Sequence, residues 1–279
     1  HADNMISSVQ ITECRFAVQE NAMYYPIQIP FILNQDFTQN MKYAETSASK
    51  CGGFGICFWE MQSLNDMELS VKNVIVADGC IDIVVAFDER QIGFSGKSRT
   101  DFNYEIVTPA RFMGIRLMPG AFHQLTGLPA SAAMDTFLPI ETVFDDFDCD
   151  QFFSLPFELA KAHFAEYVSS KTKDKTPDIF TTLFHSLSEN APAATSELYK
   201  SLHFSPRQCQ RLFSKHYGIT PMVLSIVRFQ RCLSMLISPR SKTADVSNTT
   251  GYYDQPHLIK DFKRNIGITP SELIRIYGN

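Results

Sequence analysis

The chain has 279 residues, a length that suits two domains of ordinary size. Hydrophobic residues make up 44% and charged residues 20%, which excludes an intrinsically disordered chain. The net charge of -5 is unevenly distributed: residues 177–279 carry 12 Lys and Arg against 7 Asp and Glu, whereas residues 1–176 carry 13 against 23. A basic C-terminal part joined to an acidic N-terminal part favours contact of the C-terminal part with a polyanion.

Several classes of protein are disfavoured by the sequence. It has no run of 18 apolar residues, so we expect no membrane span, and we expect no signal peptide. The four residues before Met5 are expected to be left over from expression. The seven cysteines are scattered and form no Cys-x-x-Cys, which argues against a disulfide framework and a zinc finger. We interpret them as reduced thiols in a cytoplasmic protein, and we expect no metal.

The first part of the chain predicts short strands followed by a helix. Segments rich in β-branched and aromatic residues are separated by turn signals such as Asp78-Gly79. These predicted strands cover residues 55–61, 70–77, 81–87, 91–95 and 111–117. Strands at this spacing predict a sandwich or a barrel. Residues 151–168 predict one amphipathic helix, in which apolar residues recur at helical spacing: Leu159, Ala162, Phe164 and Tyr167.

A polar segment over residues 169–178, rich in Lys and Thr with a proline near its end, is the linker candidate. The predicted fold class is α+β. We expect a β-rich, barrel-like sensor domain over residues 5–168, a linker over 169–176 and an all-α domain over 177–279. Every predicted element after residue 179 is a helix.

An internal repeat lies in the helical part. Residues 211–221 match residues 260–270 at an offset of 49 residues, and Gly-Ile-Thr-Pro occurs in both copies. Phe213 pairs with Phe262 in this alignment. Each copy has the pattern of a helix-turn-helix unit, whose second helix enters the major groove of DNA.

The first copy predicts a helix over 195–202 and a second over 206–217. Ser205 is a favoured N-cap, Pro206 a favoured first helical residue, and Gly218 a terminator.

The second copy predicts helices over residues 243–250 and from the Asp254 cap to Asn265. Residues 221–237 predict one long helix that joins the two units. Its 17 residues span about 26 Å. With the size of each unit added, the two reading helices can lie about 34 Å apart, which is one turn of DNA.

The faces of the two reading helices follow from helical spacing. Cys209 and Phe213 mark the buried stripe of the first, so Arg207 and Arg211 lie on the opposite side. Arg and Gln side chains near a helix start can make bidentate contacts with guanine and adenine edges. The candidate DNA-binding residues are Arg207, Gln208, Gln210, Arg211, Lys215, Gln255, His257, Lys260, Lys263 and Arg264.

The stretch over residues 177–279 resembles the AraC/XylS family of bacterial regulators, through segments 205–221, 228–236 and 251–273. The resemblance implies sequence-specific DNA binding, usually activation of transcription, and RNA polymerase as a partner. It implies base contacts from Arg207, Gln210, Arg211, Gln255, His257 and Lys260. Two departures bear on how much the second unit reads bases: residues 243–250 are more polar than the family pattern, and Pro256 replaces a polar residue.

The N-terminal part is similar to a sensor domain found on some members of that family, through residues 76–87 and 112–122. This resemblance implies effector binding or dimerisation. The candidate effector-binding residues are Trp59, Glu60, Arg116 and His123. Core packing for Trp59, a structural ion pair for Arg116 and a surface position for His123 are the alternatives.

The sequence therefore predicts a transcription regulator, not an enzyme, that responds to a small-molecule effector and needs no cofactor. Its expected partners are double-stranded DNA, RNA polymerase and a second copy of the chain, paired through the helix at 151–168. One alternative is control by a protein partner with no small ligand. Another is a DNA-repair enzyme with a DNA-binding tail, which would need a reactive cysteine in a Pro-Cys-His-type setting that none of the seven has.

Overall fold

The computed structural model describes residues 24–28, 35–96, 103–192, 194–218, 223–237 and 250–277. After a short helix, α1 (Gln35–Asn40), the N-terminal part is built on strands. These are β1 (Met41–Ser47), β2 (Gly55–Ser63), β3 (Ser70–Val74), β4 (Ile81–Ala86), β5 (Gln91–Gly96), β6 (Asn103–Val107), β7 (Arg111–Leu117) and β8 (Phe137–Pro139).

Six strands form one antiparallel sheet in the order β1-β2-β7-β4-β5-β8, and β3 pairs with β6 in a separate two-stranded ribbon. The hydrogen-bonded order ends at β1 and β8, so the barrel-like domain is an open sheet with a ribbon beside it. The five predicted strands are present. The sequence does not predict β1, β6 and β8. β6 and β8 are short, and β1 lacks a clear alternation of buried and exposed residues, since only Met41 is buried in it.

Helices pack against the sheet, and the helix predicted over 151–168 is broken by a proline. The single helix predicted over 151–168 is two helices, α3 (Cys149–Ser154) and α4 (Phe157–Thr172). Leu155 is extended, as expected for a residue that precedes proline, and Pro156 is the N-cap of α4. A further short helix, α2 (Ala121–Thr126), follows β7.

The buried face of α4 differs from the predicted stripe. Phe157, Ala160, Phe164 and Val168 are buried against the sheet, whereas Leu159 is 58% exposed. The spacing is helical as predicted, but the stripe is rotated around the helix axis. α4 continues to the buried Thr172, so residues 169–172 of the predicted linker belong to the packed helix.

The C-terminal part is helical throughout its described ranges. Its helices are α5 (Ile179–Glu189), α6 (Thr195–Ser201), α7 (Pro206–Tyr217), α8 (Val223–Leu236), α9 (Gln255–Ile266) and α10 (Pro270–Tyr277). The helix predicted over 243–250 lies outside the described residues, apart from Thr250, which is buried. No helix in the described ranges is both long and apolar enough to span a membrane.

The first helix-turn-helix unit shares one hydrophobic core with the sheet. This core runs from Ile83 and Phe94 in the sheet to Phe184 in α5 and Phe213 in α7. The second unit has its own smaller core, in which Phe229 of α8 meets Phe262 of α9 at 5.0 Å between ring centroids. The boundary between the two cores therefore lies within α8, between Val227 and Phe229.

His216, in the last turn of α7, is central to the contact between the first unit and the N-terminal part. Its ring stacks on Phe180 of α5 at 4.0 Å and meets the His123 ring of α2 edge-on at 4.5 Å. The next residue, Tyr217, donates its hydroxyl to the Phe180 carbonyl oxygen at 2.6 Å. His216 is buried, and its Nδ1 has no hydrogen-bond partner among the residues that the structure describes. Burial, and next the neighbouring His123, lower the pKa of His216 to about 4.

The low pKa of His216 predicts acid sensitivity of this contact. An unfolded histidine titrates near pH 6.5, so between about pH 6.5 and 4 the unfolded chain binds more protons than the folded chain. Folding stability should therefore fall as the pH falls through that window. The variant His216→Phe keeps a ring over Phe180 and binds no proton. Urea unfolding at pH 7, 6 and 5 should show the wild type losing stability relative to this variant.

Two charged groups also act on His216: Asp178 raises its pKa, whereas Lys215 lowers it. Both groups are unchanged in His216→Phe, so they do not affect the comparison with the wild type. His203 is a matched control, because it is exposed and its φ of 57° is a conformation that asparagine tolerates. His203→Asn should keep the wild-type pH dependence. Identical pH dependence of the wild type and His216→Phe would contradict the assignment.

Candidate nucleic-acid interface

The reading helix of the first unit, α7, begins and ends where the sequence predicts. Ser205 caps it, in a capping box with Gln208: the Ser205 hydroxyl accepts from the Gln208 backbone N–H, and Gln208 Oε1 accepts from the Ser205 N–H at 3.0 Å. Gly218 ends the helix with a φ of 68°, a left-handed conformation suited to glycine. The start of α7 is thus fixed by local hydrogen bonds.

The predicted faces of α7 are confirmed. Cys209 and Phe213 are fully buried, whereas Arg207, Gln210 and Arg211 are exposed. Lys215 is also exposed, in the last turn. Gln208 is exposed, but its side-chain oxygen accepts a hydrogen bond in the capping box. Only its side-chain N–H groups are therefore available to contact DNA.

The second unit presents α9 in the same way. Asp254 caps the helix by accepting from the His257 N–H at 2.8 Å, and Gly267 ends it with a φ of 77°. Leu258 and Phe262 are fully buried. The predicted contact residues of this unit are all exposed: Gln255, His257, Lys260, Lys263 and Arg264.

Two residues near α9 were not singled out from the sequence. Asp261 is buried; it accepts from the Tyr252 hydroxyl at 3.1 Å and pairs with Arg264 at 2.5 Å. Tyr253, in the turn before the Asp254 cap, is 93% exposed. The adjacent Tyr252-Tyr253 pair was the available signal, because consecutive aromatic residues in a turn rarely bury on the same side.

The helix that joins the two units is α8, which the structure describes as 14 residues, or about 21 Å. Its inward residues are apolar, except for the buried Gln230. Gln230 Oε1 accepts from the Ile27 N–H at 2.8 Å. The N-terminal part therefore contacts both the first unit and the joining helix.

The four candidate effector-binding residues do not come together in one place. Arg116 is buried and pairs with Glu45 at 3.2 Å; Asp78 and Asp82 lie at 3.7 and 3.9 Å. Trp59 donates to Asp82 Oδ2 at 2.9 Å. Burial raises the pKa of Asp82 to about 7 against the attraction of the Arg116 guanidinium.

Trp59 packs flat on β7, where only glycine leaves room for it. A Cβ on Gly114, its partner in the strand register, would lie 2.4 Å from the indole ring. Glu60, on the other face of β2, pairs with Lys161 of α4 at 2.6 Å. His123 lies at the contact with His216, with Nδ1 2.7 Å from the Leu128 carbonyl oxygen. These contacts agree with core packing for Trp59 and a structural ion pair for Arg116, the two alternatives that the sequence leaves open.

Comparison with known proteins gives two family matches. Residues 198–276 match the family model described as a helix-turn-helix domain (HTH_18), and residues 56–139 match a domain of unknown function (DUF6597). No curated protein matches this chain.

Two solved structures of ToxT from Vibrio cholerae are similar in fold. One covers 86% of this chain and 100% of its own, at 10% identity and a TM-score of 0.40. The other, an apo form of a ToxT variant, covers 85% and 97%, at 9% identity and a TM-score of 0.38. Both scores are below 0.5, so nothing about function follows from this likeness.

Two capped helices with exposed basic residues, each within a helix-turn-helix unit, define a DNA-binding protein. The helix-turn-helix match spans both units, over residues 198–276, and supports the predicted AraC/XylS-type regulator. The α+β fold, with a β-rich N-terminal part and a helical C-terminal part, is confirmed as well.

The buried charges around Arg116 predict a large loss of stability when the guanidinium is removed. Arg116→Met leaves Glu45, Asp78 and Asp82 without their cation, which should lower the free energy of unfolding by about 3–5 kcal/mol. Arg111→Met is the matched control on the same strand. Arg111 pairs with Asp88 at the surface, so its loss should cost about 0–1 kcal/mol. Urea unfolding measures both; equal losses would contradict the structural role of Arg116.

Proposed function

We propose that this chain is a sequence-specific transcription activator that reads two successive major grooves and responds to a small-molecule effector held by its N-terminal part. RNA polymerase is the partner it recruits. The observation that carries the proposal is the matched pair of α7 and α9. Each begins at a side-chain cap, ends at a left-handed glycine and exposes several basic and amide side chains.

The two Arg residues of α7 support base reading. Arg207 and Arg211 are one helical turn apart on the exposed side, and neither has an ion pair among those seen in the described residues. An unpaired guanidinium can bind guanine O6 and N7 bidentately. Lys263 lies farther along α9 in its last turn, where a phosphate contact is the expected role.

Binding of full-length variants to DNA tests these roles. A duplex selected by the wild type from a random-sequence pool serves as the operator, and a scrambled duplex as the comparison, at one fixed salt concentration. Arg207→Ala or Arg211→Ala should cost about 1–3 kcal/mol on the operator and much less on the scrambled duplex. Lys263→Ala should weaken both equally, because non-specific binding rests on phosphate contacts. Lys260→Ala should fall between.

Lys200 provides the control, because it is exposed on α6, outside both reading helices. Lys200→Ala should change the affinity for either duplex only slightly. If both Arg variants lower the two affinities by the same factor, α7 does not read bases. The full chain is needed because α7 shares its core with the sheet.

A regulator controlled by a protein partner is the second candidate, and an exposed apolar patch favours it. Leu64, Met67, Leu69 and Val107 are 54%, 57%, 37% and 62% exposed. Thr108 joins the segments that carry three of them: it follows Val107, its hydroxyl donates to the Met67 carbonyl oxygen, and its Oγ1 accepts from the Leu69 N–H at 3.0 Å. Clustered exposed apolar side chains are typical of protein contact surfaces.

The repair-enzyme alternative has less support. Burial raises the pKa of each of the six described thiols, to about 12 for Cys57, Cys149 and Cys232. A neutral thiol is a poor nucleophile, whereas methyl transfer to cysteine needs a thiolate. Cys14 lies outside the described residues.

Native mass spectrometry of the freshly purified chain separates the two modes of control and tests pairing. An effector should appear as extra mass that is released on denaturation.

A homodimer, which we propose to form through the exposed side of α4 around Leu159, should appear as twice the chain mass and be lost in Leu159→Asp. Leu64→Asp, equally exposed but in the apolar patch, is the control and should stay dimeric. A bare monomer at all concentrations would contradict both the effector and the dimer.

A further inference from the structure

Tyr253 stands out because the same position in the two repeats has opposite surroundings. At the repeat offset of 49 residues, Tyr253 corresponds to Phe204. Phe204 is half-buried, and its ring is parallel to that of Phe180, in the core that joins the first unit to the sheet. Tyr253 is 93% exposed, the largest value among the exposed large hydrophobic residues of the described ranges. Protein covers one aromatic ring, and solvent surrounds the other.

The backbone on both sides of Tyr253 is held firmly. Tyr252 is buried, donates to Asp261 and lies under the Arg228 guanidinium at 5.7 Å. On the other side, the Asp254 carboxylate caps α9 through the His257 N–H. Because Tyr252 points into the core, the next side chain points out of it. A ring presented from an anchored turn loses little conformational entropy when it binds a partner.

The position of Tyr253 is at the DNA-facing end of α9. Residues 253–257 are all exposed and run directly into the start of the reading helix, which is the end that approaches base edges. Within this surface Pro256 has no N–H to donate, and the Asp254 carboxylate is used by the cap. Besides the Gln255 amide, which is a candidate for base contact, the Tyr253 hydroxyl is a neutral donor that this surface offers beside the groove.

We propose that the Tyr253 hydroxyl donates a hydrogen bond to a phosphate oxygen at the edge of the major groove that α9 enters, with its ring against the adjoining deoxyribose. Tyrosine hydroxyls are among the groups that contact phosphates in protein–DNA complexes, and such contacts fix register and orientation on the duplex. Tyr253 is thus a positioning contact for the second unit. The inference rests on the proposed function, in which α9 lies in a major groove.

The test uses the full chain with three variants. Tyr253→Phe removes only the hydroxyl, Tyr253→Ala removes the ring as well, and Met67→Ala removes an exposed apolar side chain in the N-terminal part as the matched control. Because both sites are exposed, all three should unfold at the wild-type temperature. On a duplex that the wild type has selected from a random pool, Tyr253→Phe should raise Kd about three- to tenfold, and Tyr253→Ala at least as much. Met67→Ala should leave Kd unchanged.

Neutralising single phosphates identifies the bond itself. Methylphosphonates placed one at a time around the second half-site should include one position that weakens the wild type by a similar factor and has no further effect on Tyr253→Phe. Tyr253→Phe should weaken a scrambled duplex as well, because a phosphate contact carries no sequence information. Wild-type affinity for Tyr253→Phe, or the same methylphosphonate profile in both proteins, would overturn the inference while leaving DNA binding intact. A wild type that selects no duplex would instead overturn the proposed function, and this inference with it.

Discussion

The shared core between the sheet and the first helix-turn-helix unit is the constraint on which the arrangement of this protein depends. Tyr217, at the end of α7, is fully buried and bonded to Phe180, and a Cβ on the next residue, Gly218, would lie 2.7 Å from Met134. Gly79 approaches Phe184 equally closely, since a Cβ there would lie 2.8 Å from the ring. Such contacts leave no room for the first unit to slide on the N-terminal part.

The second unit is attached differently. Its core is separate. In the described residues it meets the N-terminal part at Val76, which packs into that core, and through the joining helix, where Gln230 Oε1 accepts from the Ile27 N–H. A change in the N-terminal part would therefore carry the first unit with it but act on the second through α8 and these contacts. In the function that we propose, α7 and α9 read successive grooves, which requires a fixed distance between them, so such a change would alter DNA binding.

Local features of the fold were predictable from the sequence, and long-range ones were not. The caps Ser205 and Asp254, and the terminating Gly218 and Gly267, lie within a few residues of the helix ends they fix, so the second helix of each repeat could be placed almost to the residue. The helix break at Pro156 follows from the same rules, although the apolar spacing on either side of it predicts one continuous helix.

The surroundings of the candidate effector-binding residues could not be predicted, for a long-range reason. The partners of Arg116, which are Glu45, Asp78 and Asp82, lie on separate segments of the sequence. The sheet register brings them together: Asp82 lies directly opposite Arg116 in the β4–β7 ladder, and Cys57 lies opposite it on β2. Likewise, the role of His216 depends on Phe180 and on His123, which is 93 positions earlier in the chain. Side-chain spacing along one helix carries no information about such partners.

The charges around Arg116 also tie the chain segment at residues 24–28 to the sheet. Asp78 accepts from Gln28 Nε2 at 2.7 Å and from the Cys80 N–H at 2.8 Å, and the carbonyl oxygen of Asp78 accepts from the Tyr24 hydroxyl. One guanidinium faces three carboxyl groups in this buried cluster, and burial raises the pKa of Asp82 to about 7. Replacing such a cluster with apolar residues often costs nothing in stability, so stability alone does not explain it. What the cluster provides here is placement: because Asp78 binds both Arg116 and Gln28, the segment that reaches Gln230 is fixed relative to the sheet.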